Sequence, residues 1–310
     1  MKRNRTCFRW FTFVTPGETI EIKGRQGTLA GIAPVHTVFE KDGHLTTIPN
    51  SVFIEEAVRQ QAGINMNLAY LDAFTLSVLV FLTIFMPIYG IWEDRQLKRW
   101  LADGWPEARV TSYRGTIALE WVGALGMLFW WLQQQRPIDP LFLTWQVSGW
   151  RLLVAGLALA VAIAIIFQTR RAVNNPDELA KIRDSIGDLE SLVPETPREV
   201  KIFNVLAISA GVCEEIMYRG VLQAILASIF GWWLAVPLSG LIFGLAHAYQ
   251  GPVGILKTGL LGMLMSVLTI FTGTLIPAIL LHIVVDLTSG HMMTAALRQE
   301  RQGESLAAER

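Results

Sequence analysis

The chain is poor in charge, in cysteine and in any run of one sign. Only 17% of its 310 residues are Asp, Glu, Lys or Arg, less than a soluble domain of this size normally carries. The 26 basic and 26 acidic residues balance and no polybasic stripe is present, which argues against nucleic acid as a partner. Two cysteines, Cys7 and Cys213, are too few and too far apart for a disulfide framework. Cys213 reads as a small packing residue in preference to a nucleophile. The apolar run Phe8 to Val14 is interrupted by Arg9 and meets Pro16, so a signal peptide is not expected. His-Glu-x-x-His, the helical zinc signature, is missing.

What the chain has instead is apolar mass. Hydrophobic residues make up 52% and Trp occurs 11 times, which fits a polytopic α-helical membrane protein. Seven spans are expected, at about 69–91, 116–132, 150–168, 202–229, 232–248, 253–271 and 274–290. Trp130 and Trp131 suit a bilayer interface. Loops 92–115 and 169–201 carry five and six Lys or Arg against one in 133–149, which puts both and the C-terminal tail in the cytoplasm. Four sections are therefore expected: a small β-domain (1–60), three spans with basic loops (61–201), a four-helix membrane core (202–290) and a polar tail (291–310).

The first section alternates in the manner of strands. Gly17 to Gly24, Gly27 to Ile32, and Thr37–Phe39 against Leu45–Ile48 across Asp42-Gly43 give short strands ending in a hairpin. His36 and His44 flank the turn and are expected at the surface. Residues 16 to 60, with Gly-Glu-Thr-Ile-Glu-Ile, Asp-Gly and Ile-Pro-Asn-Ser, resemble the β-domain of small-conductance mechanosensitive channels. That resemblance implies a small barrel-like (Sm-like) domain and a possible ring-forming oligomer through it. Too little chain precedes it for that family's pore helices, so channel activity is not carried over.

Between Ile202 and Gly290 the formally charged side chains are Glu214, Glu215, Arg219, Lys257 and Asp286, joined by His247 and His282. Ionisable groups at membrane depth are costly and by default functional. On a helix Glu215 and Arg219 pair at i and i+4, while Glu214 turns to another face and is left free. His282 and Asp286 share a face for the same reason. If these groups converge on one cavity, they satisfy one another and hold water.

Glu214-Glu215-Ile-Met-Tyr-Arg219, Phe243-Gly-Leu-Ala-His247 and His282-Ile-Val-Val-Asp286 together resemble the motifs of the membrane-embedded CAAX proteases and bacteriocin-processing enzymes, among them the type II CAAX prenyl endopeptidases. The resemblance spans about residues 200 to 290. It implies an intramembrane endopeptidase acting on a membrane-associated protein or peptide, lipidated or not, in which Glu214 and His247 hold the attacking water and His282 faces the oxyanion. Asp286 stands where the prenyl endopeptidases have Asn, and an aspartate donates a hydrogen bond only when protonated. Glu215, Arg219 and Phe243 would support the site, and Tyr218 would share the cavity. A metal version uses Glu214, His247, His282 and Asp286 as ligands for Zn2+; the metal-free glutamate mechanism is preferred, with no cofactor. A non-catalytic scaffold or immunity-type protein and a proton-coupled transporter remain as alternatives. Membrane lipids and a peptide substrate are the expected partners, and a bacterial cytoplasmic membrane the expected location.

Overall fold

The computed structural model describes residues 19–22, 25–32, 36–41, 44–49, 72–145 and 149–308. Contacts divide the chain into two units, Met1–Met66 and Asn67–Arg310.

In the first unit β1 (Thr19–Ile22), β2 (Arg25–Ile32), β3 (His36–Lys41) and β4 (His44–Pro49) pair antiparallel in chain order. The β3/β4 register closes on Lys41 opposite His44, as a two-residue Asp-Gly turn demands. A bulge between Leu29 and Gly31 shifts the β2/β3 register. The barrel-like domain expected from the sequence is not found. The strands form an open meander, because among the described residues β1 and β4 each pair on one side only. An oligomer built through such a barrel loses its basis with it. His44 is exposed, whereas the side chain of His36 lies outside the described residues.

The second unit is helical. Among the described residues five helices are long and apolar enough to cross a membrane, not the seven expected. α1 (Ala73–Ala102) starts on Asp72, whose side chain accepts from the Thr75 amide at 2.8 Å. Pro87 does not end it. A π-helical turn, Phe81–Phe85, precedes the proline and carries the helix past it. The helix therefore continues through residues expected as a polar loop, held by a Lys98–Asp94 pair at 2.9 Å and by buried Leu97. α2 (Ala108–Gln133) and α3 (Trp150–Ala172) follow. α4 (Pro176–Ile186), capped by Asn175, lies in the stretch expected as a connection.

α5 covers residues 197–230 in three joined pieces: Pro197–Glu214, a π-helical Glu215–Leu222 and Gln223–Phe230. Thr196 and Glu199 form a reciprocal capping box at its start. It is not an apolar span by composition, because every eighteen-residue stretch of it carries at least three charged side chains. Its neighbours enclose it instead: from Met217 to Leu226 every residue is buried. α6 (Trp232–Ala246) has 15 residues. That length reaches only about 22 Å, short of a hydrocarbon core of about 30 Å. α7 (Gly251–Thr272) and α8 (Ile276–Ala308) complete the unit. Outward-facing apolar side chains such as Leu153 on α3 and Val253 on α7, exposed by 76% and 64%, suit a lipid environment.

Two close approaches set the site. On α6, a Cβ added to Gly244 would lie 2.5 Å from the Ile255 carbonyl oxygen, and one added to Gly240 would lie 2.8 Å from that of Gly259 on α7. Only glycine lets these backbones meet. On α5, a Cβ at Gly211 would lie 2.5 Å from Ile283 Cγ1 of α8. This contact carries Glu214 and Glu215 to the flank of His282.

Candidate active site

Glu214 and Glu215, adjacent in sequence, are used differently. Glu215 is fully buried, and its Oε1 lies 3.0 Å from Arg219 Nη1 and 2.8 Å from His282 Nδ1. A carboxylate paired with a guanidinium can only accept, so the His282 Nδ1 carries the proton of that bond. The other ring nitrogen is thereby turned toward two more carboxylates: His282 Nε2 lies 3.6 Å from Glu214 Oε2 and 3.5 Å from Asp286 Oδ2. These contacts are looser than ordinary hydrogen bonds.

Arg219 is held from two sides. Its guanidinium lies 4.1 Å over the ring of Phe243 as well as beside Glu215. Gly262 of α7 leaves room for it, since a Cβ there would stand 3.0 Å from Arg219 Nη2 and 2.9 Å from Phe243 Cδ1. Phe243 also meets Tyr218 edge-on at 5.0 Å and His282 at 6.0 Å. One turn on, His247 Nδ1 is 2.9 Å from the Phe243 carbonyl oxygen. The carbonyl can only accept, so this nitrogen also carries its proton and Nε2 is left for other work.

A cavity of about 660 Å³ opens beside these groups. Glu214, Phe243, His247, His282 and Asp286 line it, whereas Glu215, Tyr218 and Arg219 stand behind. Tyr218 is thus not a cavity residue: it is fully buried against Phe243, and its hydroxyl has no hydrogen-bond partner among the described residues. Cys213 is a free thiol buried in the apolar core, as its packing role requires.

The metal version is the less favoured alternative in the sequence. Among the described residues no three His, Cys, Asp or Glu side chains are placed to hold an ion.

Sequence reasoning missed Glu120 of α2. It is 3% exposed, lines the same cavity, and leaves its Oε2 without a hydrogen-bond partner among the described residues. The signal was available, because a glutamate inside a tryptophan-rich apolar helix is the same anomaly that marks Glu214. The Gly240-x-x-x-Gly244 spacing was legible in the same way.

The model of the family described as Type II CAAX prenyl endopeptidase Rce1-like matches residues 197–288. No curated protein and no solved structure matches the chain. The matched segment contains α5, α6, α7 and the part of α8 that bears His282 and Asp286. It is a CAAX-protease-like segment covering a minority of the chain. The match does not extend to residues 16–60, and with the open meander found there it overturns the resemblance to a channel β-domain.

Proposed function

We propose that this protein is an intramembrane endopeptidase that hydrolyses a peptide bond in a membrane-associated protein or peptide. The observation that carries the reading is the division of labour between two adjacent glutamates. Glu215 is engaged by Arg219 and His282, while Glu214 reaches the cavity with no side-chain hydrogen bond among the described residues, His282 Nε2 standing 3.6 Å away. In this reading Glu214 takes a proton from a water held between it and His247, and the resulting hydroxide attacks the scissile carbonyl. His282, locked by Glu215, presents a protonated Nε2 to the oxyanion, and Asp286 orients or recharges it. Glu214 then returns the proton to the leaving amine. Arg219 acts from behind the cavity wall, holding Glu215, and Phe243 in the wall supports Arg219 with its ring face.

The test is cleavage of a membrane-anchored peptide reporter library by purified full-length protein in detergent, with Glu214→Ala alongside and with a strong chelator. The reading expects cleavage by the wild type, loss in the variant, and no effect of chelator. Failure of folded wild-type protein to cleave any reporter would overturn it and favour a membrane scaffold. Proton-dependent flux in liposomes would favour a transporter.

A further inference from the structure

The cavity has a second polar wall, which the proposed chemistry does not use. It is built by α1 and α2, where Glu93 and Glu120 face the same space as Glu214, with Tyr89 and Thr116 beside them. Glu93 accepts from the Ser112 hydroxyl. Glu120 is almost wholly buried, yet its Oε2 has no partner among the described residues. A buried carboxylate oxygen without a partner is expensive in either protonation state, so its retention calls for a group that fills it. The charge balance says which group. Four carboxylates line the cavity, at Glu93, Glu120, Glu214 and Asp286, against Lys257 and two histidines, and His282 is engaged by Glu214, Glu215 and Asp286, which leaves Glu93 and Glu120 without a cation among the described residues. Lys257 is exposed and forms no ion pair among the described residues. No cluster of three ligands is present there for a metal ion.

We infer that the Glu93 and Glu120 wall receives a lysine or arginine side chain of the peptide whose bond lies at Glu214. This rests on the endopeptidase reading and adds a substrate class to it: a membrane-associated peptide with a basic residue near the scissile bond. Glu120, on a different helix from the catalytic groups, is then a specificity residue. The Glu120 carboxyl meets a cation only when the right substrate is bound, and a neutral or acidic side chain leaves it without one.

The experiment uses full-length protein in detergent and one fluorescent membrane-anchored peptide in which each position flanking the cleaved bond is in turn Lys, norleucine or Glu. At one position the wild type should cleave the Lys peptide with kcat/KM about tenfold or more above norleucine, the Glu peptide being poorest. In Glu120→Gln, which keeps the shape, the Lys to norleucine ratio should fall toward one, and in Glu93→Gln it should fall by less. Equal cleavage of the three peptides by the wild type at every position overturns the inference without any variant. An unchanged ratio in folded Glu120→Gln overturns it as well. If no peptide is cleaved, the endopeptidase reading fails, and equilibrium binding of the same peptides judges the wall by itself. Preferential binding of Lys that Glu120→Gln abolishes upholds it, and equal binding of all three contradicts it.

Discussion

Arg109 and Arg219 are both withdrawn from solvent, at 9% and 1% exposure, and they keep different company. Arg109, at the foot of α2, donates to the Ser191 carbonyl at 2.9 Å and to Glu195 Oε1 at 2.7 Å, and Glu195 is held again by Arg301 of α8 at 2.8 Å. Around it the capping box, the Arg183–Glu300 pair and the Arg198–Glu107 pair satisfy one charge with another. Arg219, in the centre, has Glu215 and the face of Phe243, and its Nε and Nη2 donate to nothing among the described residues. Glu120, Tyr218 and Gln223 nearby also hold unpaired polar atoms. The rim pairs its charged side chains with one another, and its work is to hold helices together. The centre keeps unspent polar capacity beside a cavity, as expected of a site that completes its bonding on a substrate.

Breaking the centre at its free member should give the largest effect. Glu214→Gln is expected to lower turnover of a cleaved reporter by about 10²- to 10⁴-fold, the usual worth of a general base, with the thermal midpoint close to wild type. Next in size is the paired member. Arg219→Met leaves Glu215 buried without its cation, and a loss of stability of about 3–5 kcal/mol is expected, read as a lowered melting temperature in detergent. Third is the backbone crossing that carries Phe243 and His247. Gly244→Ala puts a methyl against the Ile255 carbonyl and should destabilise by about 1–3 kcal/mol, with a parallel loss of activity.

The smallest effect belongs to the rim. Hydrogen bonds from Arg301, with Arg109 beside it, hold the Glu195 carboxyl below its ordinary value of 4.5 in spite of partial burial. A lowered folded-state pKa contributes stability above the unfolded value that disappears as pH falls through the folded one. Glu195→Gln should therefore cost at most about 1 kcal/mol at neutral pH once solvent screening is allowed for. The gap to wild type should close as pH falls below 4.5, which thermal melts across that range would detect.

The sequence made the central charges legible because they stand against an apolar background: Glu214, Glu215, Arg219, His247, His282 and Asp286 were all readable as one cluster. Their partition was only half legible. Helical spacing anticipates the Glu215–Arg219 pair, but the bond from His282 to Glu215 depends on the Gly211–Ile283 approach, a tertiary fact. The span count failed for a physical reason. Hydropathy equates an apolar run with a bilayer crossing, whereas α5 is enclosed by its neighbours and α6 is short. α1 also runs on past residue 91, because the π turn before Pro87 absorbs what a proline would otherwise break. In the first unit the alternation and the Asp-Gly turn located the strands, but alternation does not specify closure, and the sheet is open.

The most direct measurement pairs turnover with thermal stability for Glu214→Gln and Glu215→Gln in the same full-length preparation. The account predicts that Glu214→Gln melts like the wild type and has lost cleavage. Glu215→Gln should melt lower, because Arg219 and His282 lose their shared acceptor. If Glu214→Gln cleaves normally, or if the two variants are destabilised alike, the division between a working and a structural glutamate is wrong.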